Sequence, residues 1–126
     1  MSAGRLITVV LEVSDLVAST VFYRDQLGLP LHPGGDNEAD GDRWISGEHA
    51  AMSWQDGAFL HFSLYAAKDE VTRSAQLGFD TADLVAAHAR LTDAGAAVVH
   101  PPRQEPWGQT ARYRDPDGNT VSLTQR

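Results

Sequence analysis

The feature that most restricts what this 126-residue chain can fold into is an order of elements that occurs twice. Residues 6–13 read Leu-Ile-Thr-Val-Val-Leu-Glu-Val, apolar and β-branched, the signature of a buried strand. Ser14 and Asp15 follow, and either side chain can accept from the free N–H groups at a helix start. A helix is predicted over 16–27, with Val17 and Val21 on one face and Gly28 as its stop. Residues 32–42 hold three glycines, a proline and four acids, and read as a loop. Strands are expected over about 43–54 and 58–66, with Asp56-Gly57 as the hairpin signal between them.

The same order then returns. A strand is predicted over 76–81, and Asp83 caps a helix over 84–94 in which Leu84, His88 and Leu91 share one face. Gly95 stops it, 96–100 is a short strand, and a proline-rich loop follows. Two more strands, about 108–114 and 119–125, flank Asp115-Pro116-Asp117-Gly118, where proline presets φ and glycine supplies positive φ for a tight turn. From cap to stop, Asp15 to Gly28 is thirteen residues and Asp83 to Gly95 is twelve. Halves this small point to duplication inside one domain. Module one spans about 5–66, a polar linker 67–75, and module two about 76–125.

Composition narrows the functional classes. There is no cysteine, which excludes disulfides, thiolate metal sites and cysteine nucleophiles. That fits a reducing cytoplasm, the expected location. No run approaches the roughly 18 apolar residues of a membrane span, and the first residues lack a signal-peptide pattern. A formal net charge of −7 disfavours nucleic acid and anionic membranes, and at long range favours a cationic small molecule. Gly34-Gly35 lacks the helix and lysine of a phosphate loop, and no serine and histidine stand in a triad pattern.

Two stretches carry a family likeness: Leu11-Glu12-Val13-Ser14-Asp15-Leu16 with Phe22-Tyr23-Arg24-Asp25 and Leu27-Gly28-Leu29, and the ending Arg114-Asp115-Pro116-Asp117-Gly118-Asn119. In order, and with the internal repeat, they resemble the vicinal oxygen chelate superfamily, which includes glyoxalase I, extradiol dioxygenases and bleomycin-resistance proteins. The resemblance implies an α+β fold of two βαβββ modules whose curled mixed sheets form a shared cleft. It also implies a homodimer that builds each cleft from both subunits, and, in the enzymes, a divalent metal held by side chains on four strands.

Carried over by position, the four metal sites fall on Thr8, His61, Gln76 and Ser122. Only His61 is a ligand of the type a transition metal prefers. Moving one residue along each strand finds Ile7, Val9, Ala75, Leu77, Val121 and Leu123, none able to coordinate. No metal and no cofactor are therefore expected. A cleft floored by Thr8, His61, Gln76 and Ser122 would share its faces with Val10, Phe59, Ser63, Gly78 and Thr120, which is mildly polar with an aromatic wall.

Pro106-Trp107-Gly108 resembles the segment of bleomycin-resistance proteins where tryptophan sits beside the drug, and Trp107 offers a plane for stacking. Trp44 and Trp54 are further candidates, either as binding residues or as interface core. His32, His49, His88 and His100 read as surface or structural histidines, and the acidic loop 34–42 as a solvated face. The expected function is metal-independent binding of a small molecule, planar or cationic, in the manner of antibiotic sequestration. The competing expectation is a lyase or dioxygenase with a displaced site that recruits Glu12 or Asp80, or an accessory domain whose cleft is filled by its own side chains.

Overall fold

The computed structural model of the chain describes residues 3–34 and 48–126. Its elements are β1 (Thr8–Val13), α1 (Leu16–Thr20), β2 (His32–Gly34), β3 (His49–Trp54), β4 (Leu60–Ala66), β5 (Gln76–Asp80), α2 (Leu84–Asp93), β6 (Ala97–Glu105), β7 (Gly108–Arg114) and β8 (Thr120–Gln125). They make two four-stranded mixed sheets with the same topology, β1-β4-β3-β2 and β5-β8-β7-β6. In each, the module's first and last strands run parallel at one side of the sheet, and the remaining neighbours are antiparallel. The chain is thus two βαβββ modules, as the repeat requires.

The caps work in the same way in both halves. Asp15 Oδ1 accepts from the Ala18 N–H at 3.1 Å, and Asp83 Oδ1 from the Ala86 N–H at 3.0 Å. Gly28 and Gly95 end the helices at φ of 91° and 82°, backbone that a side chain would strain.

Three elements differ from the sequence expectation. The first helix changes pitch after Thr20, and Val21–Gln26 is π-helical, ending with Leu27 N–H bonded to Phe22 O at 2.8 Å. The wider turn brings both Phe22 and Tyr23 into the core. Residues 32–34 are a strand, not a loop: β2 lies at the sheet edge, where Pro33 needs no ladder partner for its missing N–H. The proline-rich loop after His100 is likewise strand: β6 is an edge with two register shifts, the second of which, between His100 and Arg103, accommodates Pro101-Pro102. The expected strand residues 43–47 and most of the acidic loop, Asp36 to Asp42, lie outside the described residues.

Strand alternation builds one core from both sheets. Leu11, Val13, Phe62, Leu64 and Met52 of the first sheet join Ala111, Tyr113, Val121 and Leu123 of the second, with Leu84, Ala87 and Leu91 from α2. The modules meet where Phe79 touches Phe62 edge-on, with ring centroids 6.2 Å apart, and Trp54 at 6.2 Å. His88 is half-buried and its Nδ1 lies 2.7 Å from the Tyr113 hydroxyl, a structural role. His49 is the exception among the histidines expected at the surface: it is 1% exposed and stacks on Tyr65, with ring centroids 5.3 Å apart.

Candidate functional site

The four carried-over positions fall into two pairs. Thr8 and His61 are direct partners across the parallel β1/β4 ladder. Ser53, opposite His61 on β3, places its Oγ 2.8 Å from His61 Nδ1. In the second sheet Gln76 pairs with Thr120, and Ser122 with Gly78. Each pair lies on the sheet face turned away from the common core, because Val9, Leu11 and Val13 on β1 and Leu77 and Phe79 on β5 alternate with them and pack against it. Thr8, Val10 and Glu12 are exposed on the first such face, and Gln76 and Gly78 on the second. The core separates the two pairs, so a single copy of the chain does not bring all four to one point.

The aromatic candidates also divide. Trp54 sits on the opposite face from His61, against Phe62 and Phe79, and so belongs to the junction between modules. Phe59 precedes β4 in the turn and is 47% exposed. Trp107 is 58% exposed at the turn between β6 and β7. Trp44 lies outside the described residues. Trp54, Phe62, Phe79 and Leu77, together with the polar Asp80 and Arg126, line a crevice of about 440 Å³ between the modules.

The donors present do not fit a divalent metal. Among the described residues no three histidine, aspartate or glutamate side chains gather at one place. The hydroxyls of Thr8 and Ser122 and the amide of Gln76 are neutral and bind transition metals weakly without charged companions. Arg112, the direct β7 partner of Ser122, adds a fixed positive charge that opposes a dication at that position.

Sequence reasoning had missed Arg112. The signal lay in the last hairpin: once Asp115 to Asn119 is the turn, Arg114 faces Thr120, and counting back two residues puts Arg112 opposite Ser122. Asp115 and Asp117 do more than occupy the tight turn expected at 115–118. Both are buried, and they bind module one. Asp115 Oδ2 accepts from the Tyr23 hydroxyl at 2.7 Å, and Asp117 accepts from both the backbone N–H and the hydroxyl of Ser14. Burial, and next the charge of Asp115, push the Tyr23 hydroxyl well above the usual tyrosine range, and burial raises Tyr113 to about 12.

Comparison with known proteins agrees with this architecture. TnmS3, an antibiotic-binding protein from Streptomyces sp. CB03234, is 27% identical, with a TM-score of 0.71 over 99% of this chain and 98% of its own. A glyoxalase/bleomycin resistance protein from the same organism is 28% identical, with a TM-score of 0.71 over 96% of this chain and 100% of its own. A superfamily member from Sphaerobacter thermophilus shares the fold at 24% identity and a TM-score of 0.67, over 98% of each chain. None of the curated proteins matches the sequence. Residues 5–123 match the Glyoxalase/Bleomycin resistance protein/Dioxygenase superfamily, and the chain belongs to that superfamily.

Proposed function

We propose that this protein is a metal-independent small-molecule binder that sequesters an antibiotic-like ligand. The observation that carries the reading is the donor set itself: Thr8, His61, Gln76 and Ser122, the positions to which the resemblance carries the superfamily's metal ligands, include one imidazole and no carboxylate, with Arg112 beside Ser122. The antibiotic-binding role of TnmS3 supports the same reading. Trp107 and Phe59 supply exposed aromatic planes for stacking, while the Thr8 and Ser122 hydroxyls and the Gln76 amide supply hydrogen bonds at the floor. Such contacts lower the free ligand concentration without breaking a bond.

The complete site, in this reading, forms in a homodimer that sets module one of one copy against module two of the other. That arrangement would bring together faces that the core of a single copy keeps apart. Leu6, Ile7 and Val10, at 71%, 57% and 45% exposure, lie on or beside the first face and would gain cover.

Tryptophan fluorescence titration with bleomycin-type glycopeptides and other planar antibiotics tests the ligand class. Saturable quenching, weakened in Trp107→Ala, is expected, with the ligand recovered unchanged. Conversion of the ligand to product would overturn the binding reading. Sedimentation analysis should show a dimer, and a strictly monomeric protein that still binds would overturn the two-copy cleft.

A further inference from the structure

A transverse row crosses the second sheet on the face turned away from the core. Gly78 on β5 pairs with Ser122 on β8, Ser122 with Arg112 on β7, and Arg112 with His100 on β6. The row therefore reads bare backbone, hydroxyl, guanidinium, imidazole.

Arg112 is set apart from the other strand arginines. Arg103 is bonded to Glu105 at 2.6 Å, and Arg114 donates to Gly118 O at 3.0 Å. Arg112 is exposed, and no described residue accepts a hydrogen bond from it or pairs with its charge. The only acid on β5, β7 and β8 is Asp80, which pairs with Thr124 at the end of β5 and has its carboxylate 3.9 Å from Arg126. The outward positions of β8 and β5 are Thr120, Ser122, Thr124, Gln76, Gly78 and Asp80, and of these only Asp80, two residues along and two strands across from Arg112, is charged. In a chain of net charge −7, a guanidinium left among hydroxyls is a local reversal of sign.

The space beside it is open. A Cβ built on Gly78 would meet nothing within 4 Å, so a ligand lying over Ser122 can extend across β5 without a clash. His100 does not compete for the role. Its Nδ1 is 2.9 Å from Pro101 O, a pure acceptor, so the hydrogen on that nitrogen is already engaged by the backbone.

We propose that this row is the specificity-determining subsite of the binding face, and that it takes a ligand bearing a carboxylate. Arg112 offers two parallel N–H donors, Ser122 adds its hydroxyl, and the body of the acid lies over Gly78. The proposal deepens the small-molecule-binding reading and rests on it for the biological ligand. It also reverses the expectation of a cationic ligand drawn from net charge. Distant charges are screened beyond about 8 Å at physiological ionic strength, so the group in contact decides.

The test uses sodium benzoate and its neutral counterpart benzamide, titrated into isotope-labelled full-length protein and followed by NMR. Benzoate should shift the Gly78 and Ser122 amides and the Arg112 Nε–H saturably, and benzamide should not. Arg112→Gln should weaken benzoate binding by on the order of tenfold, Arg112→Lys should restore only part of it, and Arg114→Gln should leave it unchanged. Equal shifts from benzoate and benzamide, unchanged affinity in Arg112→Gln, or no benzoate response at Arg112 and Ser122 at high millimolar concentration would each overturn the proposal. The outcome is separate from the antibiotic titration: benzoate binding with no antibiotic binding would sink the sequestration reading and leave the carboxylate subsite standing.

Discussion

The hydroxyl of Tyr23 donates to Oδ2 of Asp115 at 2.7 Å, joining the first helical segment to the last turn of the chain across 92 residues. Asp115 is also the centre of its own turn, accepting from the N–H groups of Asp117 and Asn119 and from the Asn119 side chain, each at 2.9 Å. One buried carboxylate thus holds the final hairpin in shape and ties the two modules together.

Removing either partner should have unequal effects. Tyr23→Phe leaves Asp115 with three donors and should cost about 1–2 kcal/mol. Asp115→Ala leaves several buried donors unpaired and should cost roughly 3 kcal/mol or more. Urea unfolding midpoints read both, and a smaller loss in Asp115→Ala than in Tyr23→Phe would remove Asp115 from the centre of the junction.

The tyrosines predict an alkaline weakness. Tyr23 and Tyr113 both keep their protons in the folded state above the ordinary tyrosine value, through burial and, for Tyr23, the neighbouring Asp115. The unfolded chain releases these protons near pH 10, so it binds fewer protons than the folded one above that point. Stability from both groups is complete below pH 10 and declines as pH rises through it. Unfolding free energy measured from neutral pH upward should fall there, and the fall should be shallower in Tyr23→Phe. A profile identical in the variant and the parent would refute the assignment.

The two described tryptophans should separate stability from binding. Trp54→Ala empties part of the aromatic junction with Phe62 and Phe79 and should cost roughly 2–4 kcal/mol. Trp107, 58% exposed, should cost no more than about 0.5 kcal/mol when truncated, while ligand binding weakens. Thermal denaturation alongside fluorescence titration distinguishes them, and loss of binding in Trp54→Ala without loss of stability would contradict the placement.

Divalent metal should leave the protein unchanged. A ligand that binds only the folded state raises Tm in proportion to its occupancy. With one imidazole in the set and Arg112 beside Ser122, added zinc, manganese or nickel should not raise Tm. A stoichiometric ion in protein purified without chelator would show that other residues complete a site.

The amino-acid sequence by itself determined the duplicated βαβββ order, the two aspartate caps, the glycine stops and the tight turn at Asp115–Gly118. These are local: each depends on backbone chemistry within a few residues. Thr8 and His61 were singled out by the resemblance to the superfamily, and the β1/β4 ladder makes them direct partners. Tertiary structure decided what no local rule contains. Pro33 and Pro101-Pro102 sit in strands because those strands are edges, and edge position is a property of the whole sheet. Trp54 went to the junction and not to the face of His61, because a shift of one residue along a strand reverses the side a residue serves. Asp115 and Asp117 became the tie between modules only once module one supplied Tyr23 and Ser14. The identity of the site's neighbours, Arg112 above all, comes from pairing between strands, which brings together groups that the chain itself keeps ten residues apart.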